Sequence, residues 1–269
     1  MIVSFPIAQI ERRGEMRMNT IQYSFQRYEK KFLLTPGQYK ALIPELLRHM
    51  STDQYGLHTI CNIYYDTDNF DLIRASLDKP MYKEKFRLRS YGVPDDDAVV
   101  FAEIKKKFDG VVYKRRVAAT AWQMDGFLKG ERLEHEAEQI QREIRWFLHK
   151  YELSPKVFIG YERVAWAGLE DSELRITFDQ NIRWRVQDLD LRRGTQGSPV
   201  LDQELILMEV KLPMTSPLWL ADALNGLRIY STSFSKYGTC YQRHLARKFT
   251  AERNLVYAQQ HSHKTAHPA

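Results

Sequence analysis

The sequence predicts an α+β fold: an eight-stranded antiparallel closed β-barrel, a tunnel, with helices packed outside. Three observations predict it. Eight segments carry strand-like patterning, most of them joined by hairpin-type turns. Helical patterns occur at only a few breaks between them. The strand-like segments alternate apolar and charged positions, so each has one apolar and one charged face.

The elements follow in chain order. Residues 24–34 read as a first strand, with Tyr28, Phe32 and Leu34 on one face and Arg27, Glu29 and Lys31 on the other. Thr35-Pro36 supplies an N-cap with proline at the first helical position, so a helix is predicted over 37–50 with Leu42, Leu46 and Leu47 as its apolar stripe. Residues 58–66, rich in β-branched and aromatic side chains, form the second strand, and 69–75 a short helix. A third strand covers 80–91 and an acidic turn 94–97. Strands over 99–108 and 111–119 are joined by Asp109-Gly110, the strongest hairpin signal in the chain.

Helical character is expected over 122–138, although Gly126 and Gly130 weaken it. It is expected again over 139–149, where Ile140, Ile144, Phe147 and Leu148 stand at helical spacing. Two further strands, 156–166 and 174–185, flank a turn at 168–172, and a Gly-rich connection over 192–199 leads to an eighth strand at 205–212. Pro213 ends that strand, Ser216-Pro217 opens another helix, and a last helix with a basic end covers 235–249. One domain is expected over 23–250. An extension over 1–22 and a polar tail over 251–269, with His261 and His263, are expected to be disordered.

Bulk properties narrow the function classes. The 269 residues carry 40 basic and 34 acidic side chains, a net charge of +6, which fits focused basic sites better than a uniformly basic nucleic-acid coat. Cys61 and Cys240 are the only cysteines, so a disulfide framework is not expected, and Cys61 reads as a core residue. No apolar run reaches transmembrane length and no signal peptide is recognisable, so a cytoplasmic protein without direct membrane insertion is expected.

The charged faces are the most informative pattern. Arg87 and Arg89 stand two apart, as do Glu103, Lys105 and Lys107, Lys114 and Arg116, and Glu209 and Lys211. The ordinary reading of such rows is a solvated sheet face. Against it stand the opposite faces, Phe86 and Leu88, then Ala102, Ile104 and Phe108, then Met208, Val210 and Leu212, which are apolar enough to pack under the helices. The charges then point inward, and cations outnumber carboxylates among them. Crowded cations repel one another and lose hydration, so such an interior calls for a polyanion, a chain of phosphates with a divalent metal.

Arg87 and Arg89 are the best phosphate ligands by type, because a guanidinium forks onto two oxygens and stays ionised. Lys31, Lys105 and Lys114 act as point charges, Arg116 extends their row, and Arg163 and Arg175 are candidates on later strands. Arg183 and Arg185 lie near a strand end and are expected to face solvent. Glu209 is the leading metal ligand, followed by Glu103 and Glu29, whose ordinary role is to neutralise neighbouring lysines. Asp179 faces inward or caps a turn, and Asp66 is expected to form a turn. There is no Gly-x-x-x-x-Gly-Lys loop, Gly-x-Ser-x-Gly elbow or Cys-x-x-Cys pair, and His49, His58, His135, His149 and His244 show no metal spacing. The aromatics among basic residues over 236–243 are weak grounds for RNA, so no nucleic-acid partner is expected.

An ordered series of motifs carries a family resemblance. They are Arg27-Tyr28-Glu29-Lys30-Lys31-Phe32, Tyr64-Tyr65-Asp66-Thr67, Phe86-Arg87-Leu88-Arg89-Ser90-Tyr91-Gly92 and Phe101-Ala102-Glu103-Ile104-Lys105. Further on come Tyr161-Glu162-Arg163, Leu174-Arg175-Ile176-Thr177-Phe178-Asp179, Met208-Glu209-Val210-Lys211 and Phe234-Ser235-Lys236-Tyr237. From about Tyr28 to Arg243 the chain resembles the VTC domain, the polyphosphate polymerase domain of the triphosphate tunnel metalloenzyme (CYTH-like) superfamily.

The resemblance implies an eight-stranded tunnel that binds ATP and inorganic polyphosphate and uses Mn²⁺ or Mg²⁺. It implies phosphate contacts from Lys31, Arg87, Arg89, Lys105, Lys114, Arg163 and Arg175, a metal on Glu209, and phosphate binding by Ser235 and Lys236 near one mouth. Arg116 and Lys211 complete the phosphate-binding candidates, and the Lys114-or-Arg116 choice awaits the hairpin register. Arg87, Arg89, Lys105, Arg163 and Glu209 are the catalytic candidates. Where a basic residue commonly follows the Ser-Lys-Tyr motif, this chain has Gly238-Thr239-Cys240, with Arg243 later. Coupling to transport would need a separate membrane partner, and the oligomeric state stays open.

Two rival readings remain. A hydrolase of organic or inorganic triphosphates commonly has a second glutamate two residues before Glu29, where this chain has Arg27. A non-catalytic polyanion-binding module would bind with strong salt dependence and turn nothing over.

Overall fold

The computed structural model describes residues 28–109, 111–134, 136–201, 204–212 and 215–247. The expected extension and tail, Arg27, Gly110 of the hairpin turn, His135, Pro213, His261 and His263 lie outside the described residues.

The long strands are β1 (Tyr28–Leu34), β3 (His58–Asp66), β4 (Tyr82–Tyr91), β5 (Val99–Phe108), β6 (Val111–Thr120), β7 (Ser154–Gly168), β8 (Arg175–Arg185) and β10 (Ile206–Leu212). These are the eight that alternation predicts. Two short strands, β2 (Met50–Thr52) and β9 (Ser198–Pro199), are too brief to alternate and carry no such signal. All pairings are antiparallel, in the order β1-β10-β8-β7-β3-β4-β5-β6, with β2 on β7 and β9 on β8.

The predicted closed barrel differs from this path at one seam: among the described residues no ladder joins β6 to β1. Closure requires matched tilt and stagger, on which alternation is silent. The sheet still curls round one interior, because Ser235 accepts from Lys85 on β4 while the adjacent Lys236 pairs with Asp179 on β8.

Two apolar clusters lie on the convex side. Phe86, Leu88, Ala102, Ile104 and Val117 pack under α3 (Ala121–Leu128) and α4 (Glu138–Lys150), against Met124, Phe127, Ile144 and Phe147. Burying a phenylalanine such as Phe86 or Phe147 stabilises by about 1.5–3 kcal/mol. Phe32, Leu34, Ile176, Phe178, Met208 and Val210 pack under α1 (Pro36–His49) and α5 (Leu218–Gly226), through Leu42, Leu46, Leu220 and Leu224. Thr35 with Gln38, and Thr120 with Gln123, close capping boxes that start α1 and α3.

The helix expected over 122–138 stops at Leu128. Gly130 takes φ 109°, and Glu131 folds back so closely that its carboxylate occupies the space a Cβ on Gly126 would need.

The third cluster corrects the expectation that all helices lie outside. Ile60, Tyr64, Val157, Ile159, Ile182 and Leu207 face the concave side and pack against Phe234, Tyr237, Cys240, Tyr241 and Leu245. These belong to α6 (Lys236–Cys240), the residues before it and a π-helical turn over Tyr241–Leu245, so the last helix covers part of the interior. Asp66 fixes it there. Buried at the end of β3, Asp66 accepts from the backbone N–H of Thr67, Leu72 and Ile73 at the start of α2 (Asp71–Leu77) and from the Tyr237 hydroxyl at 2.9 Å. The expected turn role of Asp66 holds, with a long-range tie added.

Arg183 and Arg185, expected to face solvent, are half-buried and tied down. Arg183 pairs with Glu162 at 3.0 Å. Arg185 lies 3.7 Å over the Phe158 ring and donates to the carbonyls of Asp188, Asp190, Gly194 and Gln196, so the loop before β9 wraps around it.

Candidate active site

Register puts the predicted charges on one concave surface. Tyr64 pairs with Arg87 and Asn62 with Arg89 across β3 and β4. Arg87 pairs with Glu103 and Lys85 with Lys105 across β4 and β5, and Glu103 with Arg116 and Lys105 with Lys114 across β5 and β6. On the other wall Lys31 opposes Glu209, Glu29 opposes Lys211, Glu209 opposes Thr177 and Lys211 opposes Arg175. Directly opposite residues share a face, so the rows converge. The register also answers the Lys114-or-Arg116 question: both face inward, Lys114 on Glu103 and Arg116 with its guanidinium 4.6 Å from the Phe101 ring.

Two carboxylate centres organise the interior. At the first, Glu103, 2% exposed, takes Arg87 at 2.8 Å, ion-pairs with Lys114 and lies 3.9 Å from Arg89. Arg87 also donates to the Tyr64 hydroxyl, and Arg89 to Asn62 Oδ1 and the Tyr161 hydroxyl. At the second, Arg163 grips Asp179 through two bonds of 2.6 and 2.7 Å and reaches Glu209 at 3.6 Å. Lys236 joins Asp179 and lies 3.4 Å from Glu209, while Lys31 stands 3.3 Å from Glu209 and 3.2 Å from Glu29. Asp179 therefore faces inward, and Glu29 neutralises a lysine.

Lys236 sits deep within the interior rather than at a mouth, 9% exposed. Ser235 is the N-cap of α6: its hydroxyl accepts from the Gly238 N–H and from Lys85 Nζ at 3.2 Å. Lys105 keeps access to water, and Arg175 lies out at the rim beside Lys211. At the other end of the strands Lys79, Lys83, Lys107 and Ser233 line a cavity of about 510 Å³.

Ionisation follows this geometry. Burial opposes the Glu103 carboxylate, yet Arg87, Arg89 and Lys114 hold its pKa far below the carboxylate range. Lys236, Lys31 and Arg163 do the same for Glu209 against its burial. Lysines without enough carboxylate move the other way. Burial, then repulsion from Lys105, Lys83, Lys31 and Arg87, pushes Lys85 down to about 7. Burial brings Lys114 down to about 8 against the pull of Glu103. Burial also lowers Lys105 and Lys211.

A bound polyanion favours the ammonium form and raises these values, so binding takes up protons wherever the free lysine is neutral. Affinity for tripolyphosphate is expected to fall as pH rises from about 6.5 to about 8.5, with a limit of about tenfold per pH unit for each lysine. Lys85→Arg is expected to flatten the part near pH 7. Calorimetry in two buffers of different ionisation enthalpy reads the proton uptake, and a flat wild-type profile contradicts it.

The divalent metal implied by the resemblance meets one suitable place. No group of three or more His, Cys, Asp or Glu ligands occurs among the described residues. Glu103 does not fit, because its charged neighbours among the described residues are Arg87, Arg89 and Lys114, with no second carboxylate beside it. Glu209 fits better. Lys31, Lys236 and Arg163 reach it too, but Asp179 and Glu29 also lie beside it, and the buried hydroxyl of Thr177, its register partner, has no hydrogen-bond partner. Such oxygen donors suit a magnesium-type ion, which takes one or two carboxylates and completes its shell with phosphate and water.

Comparison with known proteins decides the family. The VTC domain model matches residues 26–245. The chain belongs to the VTC domain family. Vacuolar transporter chaperone complex subunit 4 of Schizosaccharomyces pombe is 23% identical over 84% of this chain and 38% of its own length. The subunit 4 of Trypanosoma brucei brucei is 27% identical over 66% of this chain and 27% of its own length, so this VTC domain spans less than half of either relative. Among solved structures, the Hippeastrum protein HpAC1, described with a dominant triphosphatase activity, aligns at a TM-score of 0.46 and 16% identity, covering 81% of this chain and 96% of that one. A Vibrio parahaemolyticus protein described as a candidate adenylate cyclase aligns at 0.43 and 12%, covering 81% and 98%. At these scores neither likeness bears on the function of this chain.

Sequence reasoning missed several residues of this VTC domain site. Lys85 had a usable signal, since it stands two before Arg87 on the same strand face. Asn62 and Tyr64 sit in an apolar-looking run, and only the β3–β4 register reveals them as partners of Arg89 and Arg87. No helix among the described residues is long and apolar enough to cross a membrane.

Proposed function

We propose that the chain is a polyphosphate polymerase that transfers the γ-phosphate of ATP onto a growing polyphosphate chain, with Mn²⁺ or Mg²⁺. The observation that carries this reading is the unbalanced interior. Its inward carboxylates, Glu29, Glu103, Asp179 and Glu209, are already engaged by cations, while Lys85, Lys105, Lys211 and Arg175 form no ion pair among the described residues. At an effective dielectric of about 20, two like charges 4 Å apart cost about 4 kcal/mol, and a phosphate chain relieves that repulsion along its length.

In this reading the interior works as a tunnel, whose walls act on one ligand from β1 and β5 together. Arg87, Arg89, Arg163, Lys31 and Lys105 hold the triphosphate and the acceptor end in line, with Lys114, Arg116, Arg175, Lys211 and Lys236 along the rest of the path. Ser235 orients Lys85 beside it. A terminal oxygen of the acceptor attacks the γ-phosphorus, the bond to the β-bridging oxygen breaks, and ADP leaves with that electron pair. Positioning and preorganised charge supply the acceleration, so no covalent nucleophile is needed. Glu209, with Asp179 or Glu29 beside it, would hold the metal, which when bound neutralises charge on the phosphate oxygens. A cytoplasmic setting, with a separate membrane partner to receive product, is part of the same proposal.

Purified protein incubated with ATP and Mn²⁺ is expected to give a ladder of polyphosphate on a gel. Free phosphate with no chain growth would assign the site to hydrolysis instead. Tight, salt-dependent binding of polyphosphate without turnover would assign it to a binding module.

A further inference from the structure

The upper rim of the concave face carries rings that belong to none of the three apolar clusters. Tyr55 and His58 lie 6.2 Å apart, His58 and Tyr91 6.2 Å, and Tyr91 and Phe101 5.8 Å, each by ring centroids, and the Arg116 guanidinium sits 4.6 Å from the Phe101 ring. Tyr55 is 64% exposed and Tyr91 55%. His58 and Phe101 are half-buried between them. Rings of this size are usually covered, so a series that leaves two tyrosines exposed at the edge of a charged interior calls for a planar ligand.

The series abuts the arginine rows directly. Tyr91 is two residues past Arg89 on the same face, a step of about 7 Å along a strand. Phe101 is the register partner of Arg89, and His58 that of Arg163. A ligand with a flat ring on this rim therefore places its next groups on guanidinium ions. At the opposite end of the strands the interior is cationic, with Lys79, Lys83 and Lys107 around a cavity. The two ends suit the two ends of a nucleoside polyphosphate.

We propose that Tyr55, His58, Tyr91 and Phe101 form a stacking platform for the nucleobase of the donor triphosphate, a role that rests on the polymerase reading. The nucleoside then sits at this rim, its ribose spans the step from Tyr91 to Arg89, and its phosphates run inward past Arg116, Arg89 and Arg163. Stacking is tolerant of base identity, because every base has a π-face, so the platform separates nucleoside triphosphates from inorganic triphosphate more than one nucleotide from another.

The test compares two ligands on the same protein. Isothermal titration measures the β,γ-imido analogue of ATP and tripolyphosphate, at one salt concentration, with wild type, Tyr91→Ala, Tyr55→Ala and Tyr91→Trp. Tyr91→Ala is expected to weaken the nucleotide analogue about tenfold, within the range for one lost stacking partner, and to leave tripolyphosphate unchanged. Tyr91→Trp is expected to restore the nucleotide affinity. In wild type, 2-aminopurine riboside triphosphate is expected to lose fluorescence on binding, and that quenching is expected to shrink in Tyr91→Ala. Equal weakening of both ligands, or nucleotide affinity unmoved in both alanine variants, overturns the platform. Nucleotide-selective loss in a protein that makes no polymer keeps the platform and removes the polymerase. Failure of wild type to bind either ligand removes both.

Discussion

Glu209→Gln is expected to lower polymer synthesis by about 10²–10³-fold, the cost of removing one preorganised electrostatic group from an active site. The substitution keeps shape and removes charge at the place where Lys31, Lys236 and Arg163 meet. Those cations do not lose all compensation, because Asp179 still holds Arg163 and Lys236, and Glu29 still faces Lys31. The fold is therefore expected to persist, with thermal unfolding close to wild type. Binding of tripolyphosphate without metal is expected to tighten, since one negative charge has left the wall. The combination is the test: lower turnover, unchanged or tighter metal-free binding, and a higher concentration of Mn²⁺ for half-maximal rate. Glu209→Gln with full activity would place the essential carboxylate elsewhere.

Glu103→Gln is expected to act on stability instead. Its carboxylate neutralises Arg87 and Lys114 and stands near Arg89, all held on neighbouring strands of one wall. Removing one partner of a buried pair leaves charge uncompensated, at about 3–5 kcal/mol. The low end applies here, because the Lys114 side chain is 39% exposed and water screens it. For a domain of this size about 3 kcal/mol corresponds to a fall of about 6–12 °C in Tm. Tripolyphosphate at 100 times its Kd stabilises any folded protein that binds it by about 2.7 kcal/mol. The variant is expected to gain more than wild type at equal ligand concentration, because its cations bind the anion more tightly. Equal melting temperatures without ligand would show that the arginines and lysine stand apart in solution without a counter-charge.

These two outcomes separate carboxylates that the sequence presents alike. Glu103 and Glu209 each lie two residues from a lysine on an alternating strand, and both read as metal ligands. Their difference comes from their neighbours. Glu103 is enclosed by Arg87 and Arg89 of β4 and Lys114 of β6, whereas Glu209, besides its own cations, has Asp179, Glu29 and the Thr177 hydroxyl beside it. Asp179 shows the reverse case: by sequence it could cap a turn, and only the β7–β8 register, Arg163 opposite Asp179, puts it at the heart of the site. Arg183 and Arg185 read as solvent-facing strand-end cations, and the loop before β9 turns them into structural anchors.

By itself the chain determined the eight long strands, the helix start at Thr35, and which side chains share each strand face. Those are local properties: a pleat of period two, a cap within one turn, a proline with fixed φ. Tertiary structure alone decided that no ladder joins β1 to β6 among the described residues, the seat of α6 on the concave side, and the pairing of each carboxylate with its cations. Each of these depends on twist and stagger summed over many strands and on contacts between residues far apart in sequence, so no window of the sequence contains them.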